Sequence, residues 1–110
     1  MSAGLPKVNV AVQDRVLLHL VEHVEQFDRY VVGPELTRPG IAEACAQHPP
    51  NVSRTMRALL REEMVTEHTR TVRGEDRRQK TWQLTDKGKS SSEDLTKTLG
   101  SIKVLLRDSN

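Results

Sequence analysis

Residues 36–65, LTRPGIAEACAQHPPNVSRTMRALLREEMV, and residues 66–88, TEHTRTVRGEDRRQKTWQLTDKG, decide how this chain folds. They spell a short helix, a tight turn, a second helix and a basic hairpin. Thr37 is placed to cap the short helix by accepting from an unpaired N–H of its first turn, and Pro39 falls early enough to be tolerated there. Ile41, Ala44 and Cys45 recur at spacings of three and four, which gives this helix one buried stripe. Ala46, Gln47 and His48 must turn, because Pro49 and Pro50 are compatible with helix only at the start of the next one.

That next helix, from about Pro50 to Glu62, has the clearest phase in the chain. At about 100° per residue, Val52, Met56 and Leu59 share one side, with Thr55 and Leu60 at its margins. Arg54, Arg57 and Arg61 fall opposite, flanked by Ser53 and Ala58. Beyond it, Met64 to Val72 is rich in Val and Thr, and Lys80 to Thr85 alternates with Trp82 and Leu84 on one side. The intervening RGEDRRQ carries the turn glycine and three arginines, so the two runs predict a β-hairpin.

Outward from this centre, Val16, Leu20 and Val24, with Leu17 and Val21 beside them, predict a helix from about Val12 to Val24. Leu18 falls on the opposite side of that helix, with His19 further from the apolar stripe than His23. Phe27, Tyr30, Val31 and Val32 then suit an extended segment ended by Gly33-Pro34. Thr85 or Asp86 caps a final helix reaching about Arg107, in which Leu95, Leu99, Ile102 and Leu106 form a two-heptad seam. Gly88 and Ser90 to Ser92 are weak helix formers and blur its start. The expected organisation is a loose arm over 1–10, a domain over 11–89 and a C-terminal helix over 90–110 that joins two copies through the seam and Leu18. The fold class is α+β, mainly α: a three-helix core, a small β-hairpin and a C-terminal helix.

A chain of 110 residues makes one domain of ordinary size, and 35% hydrophobic residues with only three aromatics leave Leu, Val, Ile and Met to fill its core. The single Cys45 excludes an internal disulfide and suits a reducing compartment. No apolar run reaches membrane-spanning length, so the expected location is the cytoplasm, away from membranes. Net charge is only +2, but residues 51–80 hold eight basic and five acidic side chains, a local excess of three.

With these elements placed, the chain resembles the winged helix-turn-helix domains of the MarR type, and still more an archaeal group of winged-helix regulators. The matching stretches are VQDRVLLHLVEH, ELTRPGIAEA, NVSRTMRALLREEMV and KTWQLTDKG, together about residues 12–89. The resemblance implies a sequence-specific, double-stranded-DNA-binding transcriptional regulator, with the third helix in the major groove and the hairpin, or wing, on backbone or minor groove. By position it implies Asn51, Ser53, Arg54 and Arg57 near base edges or phosphates, and Arg73, Arg77, Arg78 and Lys80 at the wing. Arg61 completes the exposed arginine row. The chain departs from the family where Glu63 and Ala46 stand in place of Gly, so a left-handed cap after the third helix is not expected. Pro50 stands where a small polar cap is usual, and Glu75 and Asp76 put negative charge at the wing tip.

Two other chemistries fit the sequence less well. His19-x3-His23 and Cys45-x2-His48 have zinc-like spacing, but lone cysteines are usually small core residues, so no metal or other cofactor is expected. No phosphate-cradling glycine loop, nucleophile elbow or paired carboxylates appear, and catalysis is not expected. The alternatives left open are a winged helix that binds protein and the DNA-binding piece of a larger protein. The sequence names no small-molecule effector.

Overall fold

The computed structural model describes residues 11–28 and 30–108, with the backbone alone described from 100 onward. The arm expected over 1–10 lies outside these residues. The order is α1 (Val12–Glu22), a 3-10 turn (Val24–Gln26), β1 (Val31–Val32), a second 3-10 turn (Pro34–Leu36), α2 (Arg38–Ala44), α3 (Pro49–Arg61), β2 (Val65–Val72), β3 (Arg78–Leu84) and α4 (Asp86–Asp108). Among the described residues no helix is long and apolar enough to cross a membrane.

The core gathers where three amphipathic helices meet the base of the hairpin. Val16, Leu17 and Leu20 come from α1, Ile41 and Ala42 from α2, Val52, Met56 and Leu59 from α3, and Val65, Trp82 and Leu84 from the hairpin. Each fully buried side chain of this size contributes roughly 1.5–3 kcal/mol relative to exposure. β2 and β3 pair antiparallel from Val65 with Leu84 to Thr71 with Arg78, and β1 adds to β2 in parallel through Val31–Thr71 and Val32–Val72. Thr81, which hairpin alternation leaves outside, is fully buried because Thr37 bridges to it, and its hydroxyl donates to the His68 carbonyl at 3.1 Å.

Thr37 caps α2 as expected. Its Oγ1 accepts from Gly40 N–H at 3.2 Å and donates to the Pro34 carbonyl at 2.7 Å. The buried stripe of α2 differs by one residue, since Ala42 and Cys45 are buried with Ile41 while Ala44 is exposed. At about 100° per residue, positions 41, 42 and 45 share one face of the helix and position 44 falls off it. On α1 the order of the histidines is reversed: His19 is buried and His23 only partly so, because His19 Nε2 reaches the Glu35 carbonyl at 2.8 Å. Leu18, expected on the outer face of α1, is half-buried.

α2 and α3 end in the same way. Ala46 and Glu63 have φ of 53° and 60°, in the left-handed region. After α2, Ala46 N–H donates to the Glu43 carbonyl and Gln47 N–H to that of Ala42; after α3, Glu63 N–H donates to Leu60 and Met64 N–H to Leu59. This double bond pattern is the Schellman motif. The expectation that Glu63 forbids it is overturned: half-buried Met64 packs against the core and holds the turn against the steric cost of a Cβ.

α4 is planted on the end of α3. Thr85 Oγ1 accepts from Gly88 N–H at 3.0 Å, capping the helix, and the same hydroxyl donates to the Glu63 carbonyl at 2.7 Å. A Cβ on Gly88 would lie 2.1 Å from the Met64 carbonyl oxygen, so only glycine permits this approach. One turn later Ser92 is fully buried, its hydroxyl bonded to the Gly88 carbonyl at 2.8 Å and 3.2 Å from that of Leu17. The residues that weaken helix propensity here are therefore the ones that let α4 pack closely against α1. The helix runs unbroken through residues 89 and 90. Leu95 packs on the core and Leu99 is half-buried, whereas the side chains of Ile102 and Leu106 lie outside the described residues.

Candidate nucleic-acid interface

The phase of α3 fixes what the domain presents. With Val52, Met56 and Leu59 at 0–1% exposure, Arg54, Arg57 and Arg61 stand outward on the far side. Arg54 Nη2 donates to Asn51 Oδ1 at 2.9 Å, which holds the first guanidinium against the helix start. Arg57 is exposed at mid-helix, and Arg61 lies in the last turn, where a cation complements the helix dipole. Pro49 and Pro50 occupy the first two helical positions without needing a polar cap. Because they lack N–H groups, the helix start has fewer backbone donors for an anion, and side chains must supply the contacts.

The hairpin places its cations beside this row. Lys80 faces the same sheet side as Trp82, and Arg78, next along that face, is exposed with Nη2 donating to the Thr69 carbonyl at 2.8 Å. Arg73 and Arg77 are exposed around the turn, which Gly74 makes possible with φ of 85°. Of the two acids there, Glu75 accepts from the Gln79 side-chain amide rather than from Arg77 or Arg78. Arg70 belongs elsewhere. Its register neighbours put it on the opposite sheet face from Lys80, where its guanidinium lies 5.8 Å from the Phe27 ring centre.

Between α3 and the hairpin runs a groove of about 510 Å³ whose lining includes Arg38, Ser53, Arg57, Glu67, Lys80 and Trp82. Ser53, Arg57 and Lys80 are thus brought together, Asn51 and Arg54 continue the surface along α3, and Arg73 and Arg77 extend it to the tip. Arg38 joins the groove although no motif in the sequence marks it. It opens α2, and its Nη1 donates to Ser53 Oγ at 3.3 Å, so it enters the groove through tertiary packing. Its only sequence signal is its place just after the cap of the helix preceding the turn.

The histidine and cysteine pairs do not converge on a ligand set. A second groove, about 670 Å³ between α1 and α2, is lined in part by Leu18, His19, His23 and Cys45. His19 is tied to the Glu35 carbonyl, His23 Nδ1 to the His19 carbonyl at 2.9 Å, and the two rings lie 4.5 Å apart. Among the described residues no three His, Cys, Asp or Glu side chains gather as metal ligands would. Burial pushes the Cys45 thiol pKa up, against a smaller opposing pull from Arg15. His68, beside the Phe27 ring, is pushed down first by burial and then by the Arg70 charge.

No protein-family model and no curated protein matches the chain. Solved structures do. The chain is similar to MepR, a transcription regulator of the Staphylococcus aureus multidrug efflux pump MepA, at 24% identity and TM-score 0.68 over 92% of this chain and 65% of that one. MepR in its DNA-binding conformation gives TM-score 0.70 at 24% identity over 92% and 66% of the two chains. The MepR–DNA complex gives 0.69 at 24% over 89% and 63%. This chain thus spans just under two thirds of the length of these MepR chains. The likeness shows that the winged-helix fold implied by the resemblance is the fold of this chain.

Proposed function

We propose that the chain is a sequence-specific double-stranded-DNA-binding transcriptional regulator, working in the cytoplasm as a homodimer. The observation that carries the reading is the outward row of Arg54, Arg57 and Arg61, standing clear of the core beside the cationic hairpin. An exposed arginine face on the second helix of a helix-turn-helix fits the major groove, where Arg pairs with guanine edges and Asn with adenine. Arg54 and Arg57 take that role, with Asn51 and Ser53 adding contacts. Arg73, Arg77, Arg78 and Lys80 lie on phosphates and supply affinity without sequence information. The fold shared with a protein solved on DNA supports the same docking. Two copies meet through Leu18, Leu95, Leu99, Ile102 and Leu106 and read half-sites about one helical turn apart.

Selection of bound sequences from a random duplex pool tests the reading. The wild-type chain is expected to enrich a motif with twofold symmetry, and the Arg54→Ala/Arg57→Ala variant to lose the guanine positions of that motif while retaining salt-sensitive binding. Each phosphate neutralised contributes about 0.9 to the slope of log affinity against log salt. Wild-type chain that enriches no motif, or binding indifferent to salt, would refute the proposal. Light scattering that shows a monomer at high micromolar concentration would remove the homodimer alone.

A further inference from the structure

Glu67 lines the groove together with its cations, its side chain 36% exposed. On β2 it is in register with Trp82, and Lys80 is the next β3 residue on the same face, so the three side chains project toward α3 together. Arg38 and Arg57 line the groove from the helical side. The two carboxylate oxygens have separate partners. Oε1 accepts from Trp82 Nε1–H at 3.2 Å, and Oε2 lies 3.8 Å from Lys80 Nζ. The indole is 3% exposed and fixed in the core, whereas the Lys80 side chain is 67% exposed. The anchor of the carboxylate is therefore rigid and its cationic partner is held only at an exposed ion pair, which is a weak restraint.

We infer that Glu67 is a built-in counter-charge, a carboxylate held by Trp82 where it occupies Lys80 until a DNA phosphate replaces it. The inference rests on the DNA-binding reading above and adds to it a residue that opposes binding. Lys80 exchanges Glu67 for phosphate on docking, and the carboxylate left behind repels the incoming backbone. Both effects act on the sugar-phosphate chain, so they weaken binding to every duplex alike and leave base preference unchanged. Glu67 thereby sets how strongly the domain holds DNA without regard to sequence.

Glu67→Gln separates charge from structure, because the amide oxygen still accepts from the Trp82 indole while the charge is gone. Binding is measured by fluorescence anisotropy on the selected site and on a random duplex across a salt series. The variant is expected to bind both about fivefold more tightly at ~0.1 M salt. Its salt slope should be steeper by about one phosphate's worth. Lys80→Gln, a change at an exposed side chain that the fold tolerates, is expected to lose less affinity in the wild-type background than in the Glu67→Gln background. Equal or weaker binding by Glu67→Gln, or an equal loss for Lys80→Gln in both backgrounds, overturns the counter-charge while leaving the DNA reading intact. Wild-type chain that binds no duplex even at low salt overturns both.

Discussion

Replacing Glu63 by glycine should stabilise this protein, although the residue is exposed and its side chain makes no hydrogen bond or ion pair among the described residues. Glu63 closes α3 at φ of 60°, and a residue with a Cβ in that region carries a cost of about 1–2 kcal/mol. Glycine removes the cost and adds about 0.4–1 kcal/mol of unfolded-chain entropy, for a net gain of about 1 kcal/mol. The bonds that define the turn, Glu63 N–H to Leu60 and Met64 N–H to Leu59, are backbone only and survive the change. So does the hydrogen bond from Thr85 to the Glu63 carbonyl. A gain of that size in a domain this small raises the unfolding midpoint by about 4 °C. Glu63→Ala is the control, since it removes a carboxylate from the negative end of the helix dipole but keeps the Cβ. Thermal unfolding followed by circular dichroism should place Ala within about 0.5 kcal/mol of wild type and Gly clearly above both. Glycine no more stable than alanine would refute the reasoning, because the left-handed cap would then carry no strain.

Further expectations concern binding and titration. Arg57→Ala should cost roughly 1–3 kcal/mol on the selected site and relax preference there, while Arg78→Ala weakens selected and random duplexes equally; equal losses for both variants on both duplexes would contradict the division between α3 and wing. Cys45, buried and with its thiol pKa raised, should resist a disulfide reagent at pH 8 until denaturant is added. Prompt labelling of the native protein would show that α2 opens readily. His68 has its pKa lowered in the fold, so below its ordinary value of 6.5 the unfolded chain binds the extra proton and stability declines as pH falls. The slope of stability between pH 7 and 5 should be shallower in His68→Gln, and an unchanged slope would remove His68 as its source.

The helical phase of α3 and the hairpin that follows it were legible in the sequence because each rests on spacing within one element. Val52, Met56 and Leu59 turn inward and Arg54, Arg57 and Arg61 outward whatever the rest of the chain does. The Thr37 cap was legible for the same reason, being a bond to a group three residues away. What escaped depends on contacts between elements. His19 is buried because Glu35 offers a carbonyl, Thr81 because Thr37 lies across from it, and Arg38 enters the groove because α2 brings it to Ser53. The left-handed turn at Glu63 is not legible from the family's glycine at that position: glycine is the easiest residue there, but Met64 and Thr85 hold the backbone in place without it. The two heptads of α4 were visible as a pattern, but not the bond of Ser92 to Leu17 or the packing of half-buried Leu95 on the core.

The close seat of Gly88 on the Met64 carbonyl and the bond from Ser92 to the Leu17 carbonyl clamp the base of α4 between the end of α3 and α1. At 1.5 Å per residue, the helix from Asp86 to Asp108 is about 34 Å long. Whatever grips the distal turns of α4 therefore loads the end of α3 and α1 together, at a distance from the row of arginines.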